Sequence, residues 1–165
     1  MLKFSTIVGN GLIIELFAGN VAMKNNSTLQ VLWNQHNDDR QKCLQIMQSI
    51  KQQGNKEVVK KDIIAFWNSN LKKHVDAEES VLIPFLARHQ FNSEFVNVLR
   101  REHDTIRTLA QRIPLHDDGI YLYKAFLTLV DQHTNFEELV VFKKMQEDFS
   151  AQELAQLDAR MRQAS

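Results

Sequence analysis

Apolar residues recur at steps of three and four along most of the chain after residue 26, which is the spacing of one face of an α-helix. The long stretches that carry this pattern are rich in Leu, Gln, Lys, Glu and Arg, which favour helix. The chain has only two prolines and five glycines, and both prolines but only two of the glycines lie after residue 26. The main breaks fall at Gly54, Pro84, Pro114 and Gly119. The pattern therefore predicts four long helices and a short fifth one.

Capping residues and breaks predict where each helix begins and ends. A Ser-Thr-Leu-Gln run has the spacing of a capping box, so helix one starts near Ser27, and it ends near Gly54. Helix two runs from about Lys56 toward Pro84, whose ring disrupts the regular turn before it. Helix three starts near Ser93 and ends before Pro114. Helix four starts at Asp117 or Asp118 and ends near Asp148, and a capping box of Ser150 and Glu153 starts the fifth helix.

Four long helices joined by short loops lie antiparallel to their neighbours, and their apolar stripes meet in one core. The predicted fold is all-α: an antiparallel up-down four-helix bundle over residues 27–165, with a short C-terminal fifth helix. An N-terminal extension over residues 1–26 precedes it.

Three interpretations of this extension stay open. The apolar run up to Met23 resembles a signal peptide, although Glu15 interrupts it and no convincing cleavage site follows. Asn10-Gly11 between two apolar segments is typical of a β-hairpin, which would make residues 1–26 a packed extension. Translation could instead start at Met23, with a spurious segment upstream. No run in the chain is long enough and free enough of charge to span a membrane.

Each of the four long helices has a histidine inside its apolar stripe, and helices two and four add a glutamate four residues later. The six residues are His36 on helix one, His74 and Glu78 on helix two, His103 on helix three, and His133 and Glu137 on helix four. A lone histidine on an apolar face is usually an ordinary core residue. Two glutamates on apolar faces need a common explanation, because an unpaired buried carboxylate is costly or becomes protonated.

A bound cation supplies that explanation. Neither stripe has a lysine or arginine beside its glutamate, whereas a metal ion would neutralise the carboxylates and take the histidine nitrogens as ligands. Each of the two glutamates is followed directly by another glutamate, Glu79 or Glu138. The first of each pair is the better ligand, since a residue four positions after the histidine lies only about 40° from it around the helix. We therefore predict that the six residues bind metal, and that Glu79 and Glu138 face solvent or lie behind the ligands.

Other polar residues have less direct interpretations. His89 and His116 fall outside the stripes and are expected to be surface histidines. Asp39 and Arg40 interrupt the stripe of helix one, and they border either a channel to the metals or a solvated gap. Glu102 is expected to be surface charge.

Composition and charge narrow the function. The chain has 165 residues, of which 44% are apolar and 24% charged, as in an ordinary soluble domain. The formal net charge is zero, so nothing favours nucleic acid or an anionic membrane as a partner. Cys43 is the only cysteine, which excludes an internal disulfide framework and a thiolate cluster. A chain with a single cysteine fits a reducing compartment, so we expect a cytoplasmic protein.

The order of these motifs resembles the hemerythrin-like family, also called HHE cation-binding domains. Its pattern is a histidine, a His-x-x-x-Glu, another histidine and a second His-x-x-x-Glu. Over about residues 28–148, this chain has His36, His74-Val75-Asp76-Ala77-Glu78, His103 and His133-Thr134-Asn135-Phe136-Glu137. The run after the first motif, Glu78-Glu79-Ser80-Val81-Leu82-Ile83-Pro84, is also similar.

The resemblance implies a non-haem di-iron centre in an up-down four-helix bundle. The two glutamates would bridge the irons together with an oxo or hydroxo group, and the histidines would bind terminally. Zinc or manganese would also suit these ligands. The implied partners are small molecules: dioxygen, nitric oxide or peroxide.

Arg107 is a departure from the oxygen-carrying hemerythrins, which have a second histidine four residues after the one on the third helix. Here Arg107 stands four residues after His103. With four histidines, two bridging carboxylates and one bridging oxygen, two six-coordinate irons keep two positions open. Open positions favour reaction with dioxygen, peroxide or nitric oxide over reversible carriage. This count changes if Asp39, Glu102 or Glu138 adds a ligand.

Three classes of function follow. The first is a di-iron protein that stores or senses iron, oxygen or nitric oxide. The second is an enzyme that turns over peroxide or nitric oxide, or one that delivers iron to damaged centres. The third is a structural bundle that holds zinc or no metal.

Overall fold

The computed structural model describes residues 29–115 and 119–164, and within them it contains helices and no strand. The helices are α1, Gln30–Lys51; α2, residues 56–88; α3, Ser93–Arg112, followed by a 3₁₀ turn, Ile113–Leu115; α4, residues 120–148; and α5, Ala151–Ala164. The predicted all-α fold, a four-helix bundle with a C-terminal fifth helix, is confirmed. None of the described helices is long and apolar enough to cross a bilayer. The predicted boundary at residue 26 and the capping residue Ser27 lie outside the described residues.

Two helices contain wider π turns. In α2 these are Trp67–Leu71 and Glu78–Leu82, and in α4 the π turn is Glu137–Val141. The second π turn of α2 lies just before Pro84, where the sequence predicts a disrupted turn. The helix does not end there, however, but continues through Ile83–Arg88. Proline lacks the N–H that a regular helix would use here, and the wider π turn directly before it is where the regular hydrogen-bond pattern is already interrupted.

Helix α5 is joined to the start of α1 by a buried hydrogen bond. The predicted capping box begins α5, with the Ser150 N–H donating to Glu153 Oε2 at 2.8 Å and the Glu153 N–H donating to Ser150 Oγ at 3.3 Å. On the same helix, Asp158 accepts a hydrogen bond from the Val31 N–H at 2.8 Å. Leu29, which precedes α1, provides no side-chain cap. The carboxylate of Asp158 therefore takes the place of a local N-cap for α1.

Two apolar clusters fill the bundle, and the predicted site lies between them. One cluster includes Leu32, Val81, Leu99 and Val141, and the other includes Cys43, Leu71, Ile106 and Val130. On each long helix the histidine lies in sequence between a residue of one cluster and a residue of the other. The clusters therefore place apolar side chains on both sides of the polar layer.

Candidate metal centre

The six sequence-predicted residues come together at the middle of the bundle. They form two groups in which one ligand atom from each residue lies within 4.8 Å of the others. The first group is His36, His74, Glu78 and Glu137, and the second is Glu78, His103, His133 and Glu137. Because the groups share both glutamates, the arrangement could hold two ions bridged by two carboxylates.

Glu78 presents one oxygen to each pair of histidines. Its Oε1 lies 2.8 Å from His74 Nε2 and 3.9 Å from His36 Nε2. Its Oε2 lies 3.2 Å from His103 Nε2 and 3.6 Å from His133 Nε2. A carboxylate placed in this way can bridge two ions with one oxygen toward each.

Glu137 connects the two pairs from the opposite helix. Its Oε2 lies 3.0 Å from His36 Nε2 and 3.5 Å from His133 Nε2. The Nε2 atoms of His103 and His133 are themselves 3.3 Å apart, close enough for both to bind one ion. Among the described residues, the ion-pair partners of both shared glutamates are histidines, and none of them is a lysine or an arginine.

The six residues are buried, and several of their polar atoms lack the hydrogen bonds that a buried group normally has. All six residues are at most 2% exposed. Within the part of the chain that the structure describes, four buried atoms lie close to one another but have no hydrogen-bond partner of good geometry: His36 Nε2, Glu78 Oε2 and both carboxylate oxygens of Glu137. Buried polar atoms are rarely left in this condition, because each loses its hydration without compensation. Imidazole nitrogens and carboxylate oxygens are lone-pair donors, so bound cations would satisfy all of them.

The shared carboxylates change the pKa values of the histidines. Burial lowers the pKa of His74, but the charge of Glu78 and the hydrogen bond with Asp39 outweigh it and raise the value to about 9. At His133, burial is outweighed chiefly by the charge of Glu137, and the pKa rises to about 10. Burial raises the pKa of Glu78, but the charge of His74 and the other histidine rings close to its carboxylate hold the pKa well below its usual range. The site is therefore built to keep positive charge beside its carboxylates.

Each of the four histidines also contacts a second carboxylate through Nδ1. The pairs are His36 with Glu138 at 3.1 Å, His74 with Asp39 at 2.6 Å, His103 with Glu79 at 3.3 Å, and His133 with Glu102 at 3.0 Å. A carboxylate that hydrogen-bonds Nδ1 fixes the orientation of the ring and raises the basicity of the other nitrogen, and His36, His74 and His133 have such a bond. At His103 the contact with Glu79 lacks hydrogen-bond geometry. All four rings thus turn Nε2 toward the shared glutamates.

One of these outer carboxylates differs from the sequence prediction. Glu102 is not plain surface charge, because its Oε2 reaches His133 on the neighbouring helix. Asp39 is 2% exposed, and its carboxylate lies 2.6 Å from His74 Nδ1 in the lining of a cleft between α1 and α2, next to a predicted ligand. Its position three residues after His36, on nearly the same helix face, is the signal that could have identified it. Glu138 is buried behind His36, which is one of the two predicted alternatives for it.

Two arginines hold outer carboxylates in place. Arg40 donates to Glu138 Oε2 at 3.0 Å. Arg107 donates to Glu79 and, at 2.6 Å, to Asp76. Arg107 stands where the oxygen-carrying hemerythrins have a second histidine on the third helix. Its side chain points toward carboxylates of α2 and does not belong to either four-residue metal group. Of the histidines outside the stripes, His89 is exposed as predicted, and His116 lies outside the described residues.

Comparison with known proteins agrees with the geometry. No curated protein and no solved structure matches the chain. One protein family does match: the sequence model described as Hemerythrin HHE cation binding domain covers residues 27–145, well over half of the chain, and includes all six clustered residues. The order of the motifs and this match lead to the same conclusion, and the chain belongs to the hemerythrin HHE cation binding domain family.

Proposed function

We propose that this protein holds a non-haem di-iron centre that binds or reacts with a small molecule, such as dioxygen, nitric oxide or peroxide. The observation that carries the proposal is the sharing of Glu78 and Glu137 by two four-residue groups. A carboxylate that faces histidine nitrogens on both sides is suited to two ions rather than one. The predicted cytoplasmic location belongs to the same proposal.

Each ion would have its own pair of histidines. His36 and His74 would hold one, and His103 and His133 the other, with the two glutamates common to both. Bound iron would supply redox and Lewis-acid chemistry. The protein side chains would orient the ligands through the outer carboxylates and exclude bulk water through the apolar clusters.

The contacts of Arg107 support a role in binding small molecules. Arginine has no lone pair to donate to a metal, and this one is engaged by Asp76 and Glu79. Helix α3 therefore offers His103 alone to the site. A structural zinc site is normally closed by protein ligands, whereas a reactive site keeps a position for an exogenous molecule.

Metal analysis tests the proposal directly. Protein made in iron-supplied cells, and purified without chelator or histidine tag, is expected to contain two irons per chain and to show charge-transfer absorption from a bridged ferric pair. Zinc alone, or no metal, would contradict the di-iron centre. If the absorption spectrum of the iron-loaded protein does not change on addition of dioxygen, nitric oxide or peroxide, the small-molecule role is contradicted. Catalytic loss of peroxide or nitric oxide would favour the enzyme.

A further inference from the structure

The buried position of the metal centre requires a route for ions from solvent. All six proposed ligands are at most 2% exposed, so an ion cannot reach them without crossing the wall of the bundle. This inference rests on the proposed function and concerns how the same site is loaded.

A polar cleft at the seam of α1 and α2 reaches one of the ligands. The cleft has a volume of about 160 Å³. Its lining includes three exposed residues, Asp38, Ser69 and Asn70, and two buried ones, Asp39 and His74. The lining therefore extends from the surface to a ligand and the outer carboxylate that holds it.

The chemistry of the cleft suits a hydrated cation better than an apolar gas. Carboxylate, hydroxyl and amide oxygens are the groups with which hard divalent ions exchange water. Two aspartates line the cleft against a single lysine, Lys73, whose side chain is exposed. Asp39 has its carboxylate 2.6 Å from His74 Nδ1, so the last oxygen of the route adjoins the first ligand.

The backbone around His74 differs from that around the other three histidines. His74 lies on the six-residue α segment Lys72–Ala77, which has a π turn on each side. The other three lie in longer α segments of 22, 20 and 17 residues. π turns are places where helices bend and are frequent at functional sites. Ser69 and Asn70 of the cleft belong to the first of these turns.

We propose that divalent metal ions reach the centre through the α1–α2 cleft, and that His74 is the first ligand they meet. The short segment that carries His74 moves on its two π turns to admit the ion past Asp39. The ligands on α1, α3 and α4, together with Glu78 at the start of the second π turn, then complete the site.

A removable block at the mouth of the cleft tests this route. In Ser69→Cys the introduced thiol is exposed, whereas Cys43 is 0% exposed, so a bulky methanethiosulfonate reagent labels the new cysteine selectively. Uptake of Co²⁺ by metal-free protein is followed in a stopped-flow instrument by visible absorption. The label is expected to slow uptake by about tenfold or more, as for a barrier raised by about 1.4 kcal/mol. Removing the label with a phosphine should restore the rate.

The matched control is Asn97→Cys, an exposed position on α3 in a different groove. Labelling it should leave the rate of Co²⁺ uptake unchanged, and the final Co²⁺ content should be the same in all samples. Equal rates for labelled and unlabelled Ser69→Cys, or a lower final content at an unchanged rate, would overturn the access route alone. A wild-type protein that takes up no Co²⁺ would overturn the proposed metal centre together with it.

Discussion

Glu78 and Glu79 are adjacent glutamates with different surroundings. The side chain of Glu78 is 0% exposed and faces all four histidines, whereas that of Glu79 is 34% exposed and lies behind His103. Glu78→Ala is expected to lose most of the bound metal, because it would remove an oxygen from each of the two proposed ions. Glu79→Ala is expected to keep both ions at saturating metal. Metal quantification after gel filtration distinguishes them, and equal losses in the two variants would contradict the assignment of Glu78 as the bridge.

Asp39 makes a separate prediction about affinity. Asp39→Asn removes the negative charge next to His74 Nδ1 while keeping the shape of the side chain. Substitutions of this kind weaken metal binding by about 10- to 100-fold, so a chelator competition should show a loss in that range. Asp104→Asn is the control, since Asp104 neighbours a ligand in sequence but is exposed. A similar loss in both variants would assign the effect to overall charge.

The π turns show how structure at the scale of one element departs from a regular pattern. In both α2 and α4, a π turn begins at the shared glutamate. Regular spacing predicts Val140 as the next core position of α4, but Val140 is only partly buried and Val141 is fully buried. Val141 also lies at a regular step, four residues after Glu137, and the wider turn favours this later position because it places an additional residue in one turn of the helix.

Helix α5 provides a prediction about stability. Asp158→Ala removes the acceptor for the Val31 N–H at the start of α1 and is expected to lower the free energy of unfolding by about 1 kcal/mol, as for loss of an N-cap. Urea titration of the metal-free protein measures this change.

The control for Asp158→Ala is Arg162→Ala. Arg162 pairs with Asp158, but its side chain is 66% exposed, and exposed ion pairs contribute little. If Arg162→Ala is as destabilising as Asp158→Ala, the ion pair is the important interaction and the capping role is wrong.

At the scale of the whole molecule, the charge balance of the core predicts the pH dependence of stability. The pKa values of His74 and His133 are raised to about 9 and about 10 in the folded metal-free protein, from about 6.5 in the unfolded chain. A histidine whose pKa is higher in the folded protein than in the unfolded chain stabilises the fold fully at a pH below its unfolded pKa. This stabilisation is lost as the pH rises through its folded pKa. The melting temperature of metal-free protein should therefore fall between pH 7 and pH 10.

Metal-loaded protein is the comparison for this experiment. Bound ions take the place of the protons, so its melting temperature should change much less over the same range. A metal-free protein whose melting temperature is constant from pH 7 to pH 10 would show that the buried histidines do not carry this charge.

The sequence determined the helices and the inward face of each, because helical periodicity is a local property that can be read from residue spacing. On α2 and α4, a histidine and a glutamate four positions apart must share a face. Together with the order of the motifs, this spacing was sufficient to select the residues that the structure brings into two groups. It was also sufficient for the capping box at Ser150.

Only the tertiary structure decided which side chains lie behind the ligands. Asp39 and His74 are 35 residues apart, Glu102 and His133 are 31 apart, and Glu138 lies 102 residues from the ring of His36. Such pairs depend on how neighbouring helices are rotated and shifted against each other. Residue spacing within one helix carries no information about that rotation, which is set by the packing of the apolar clusters on both sides of the site.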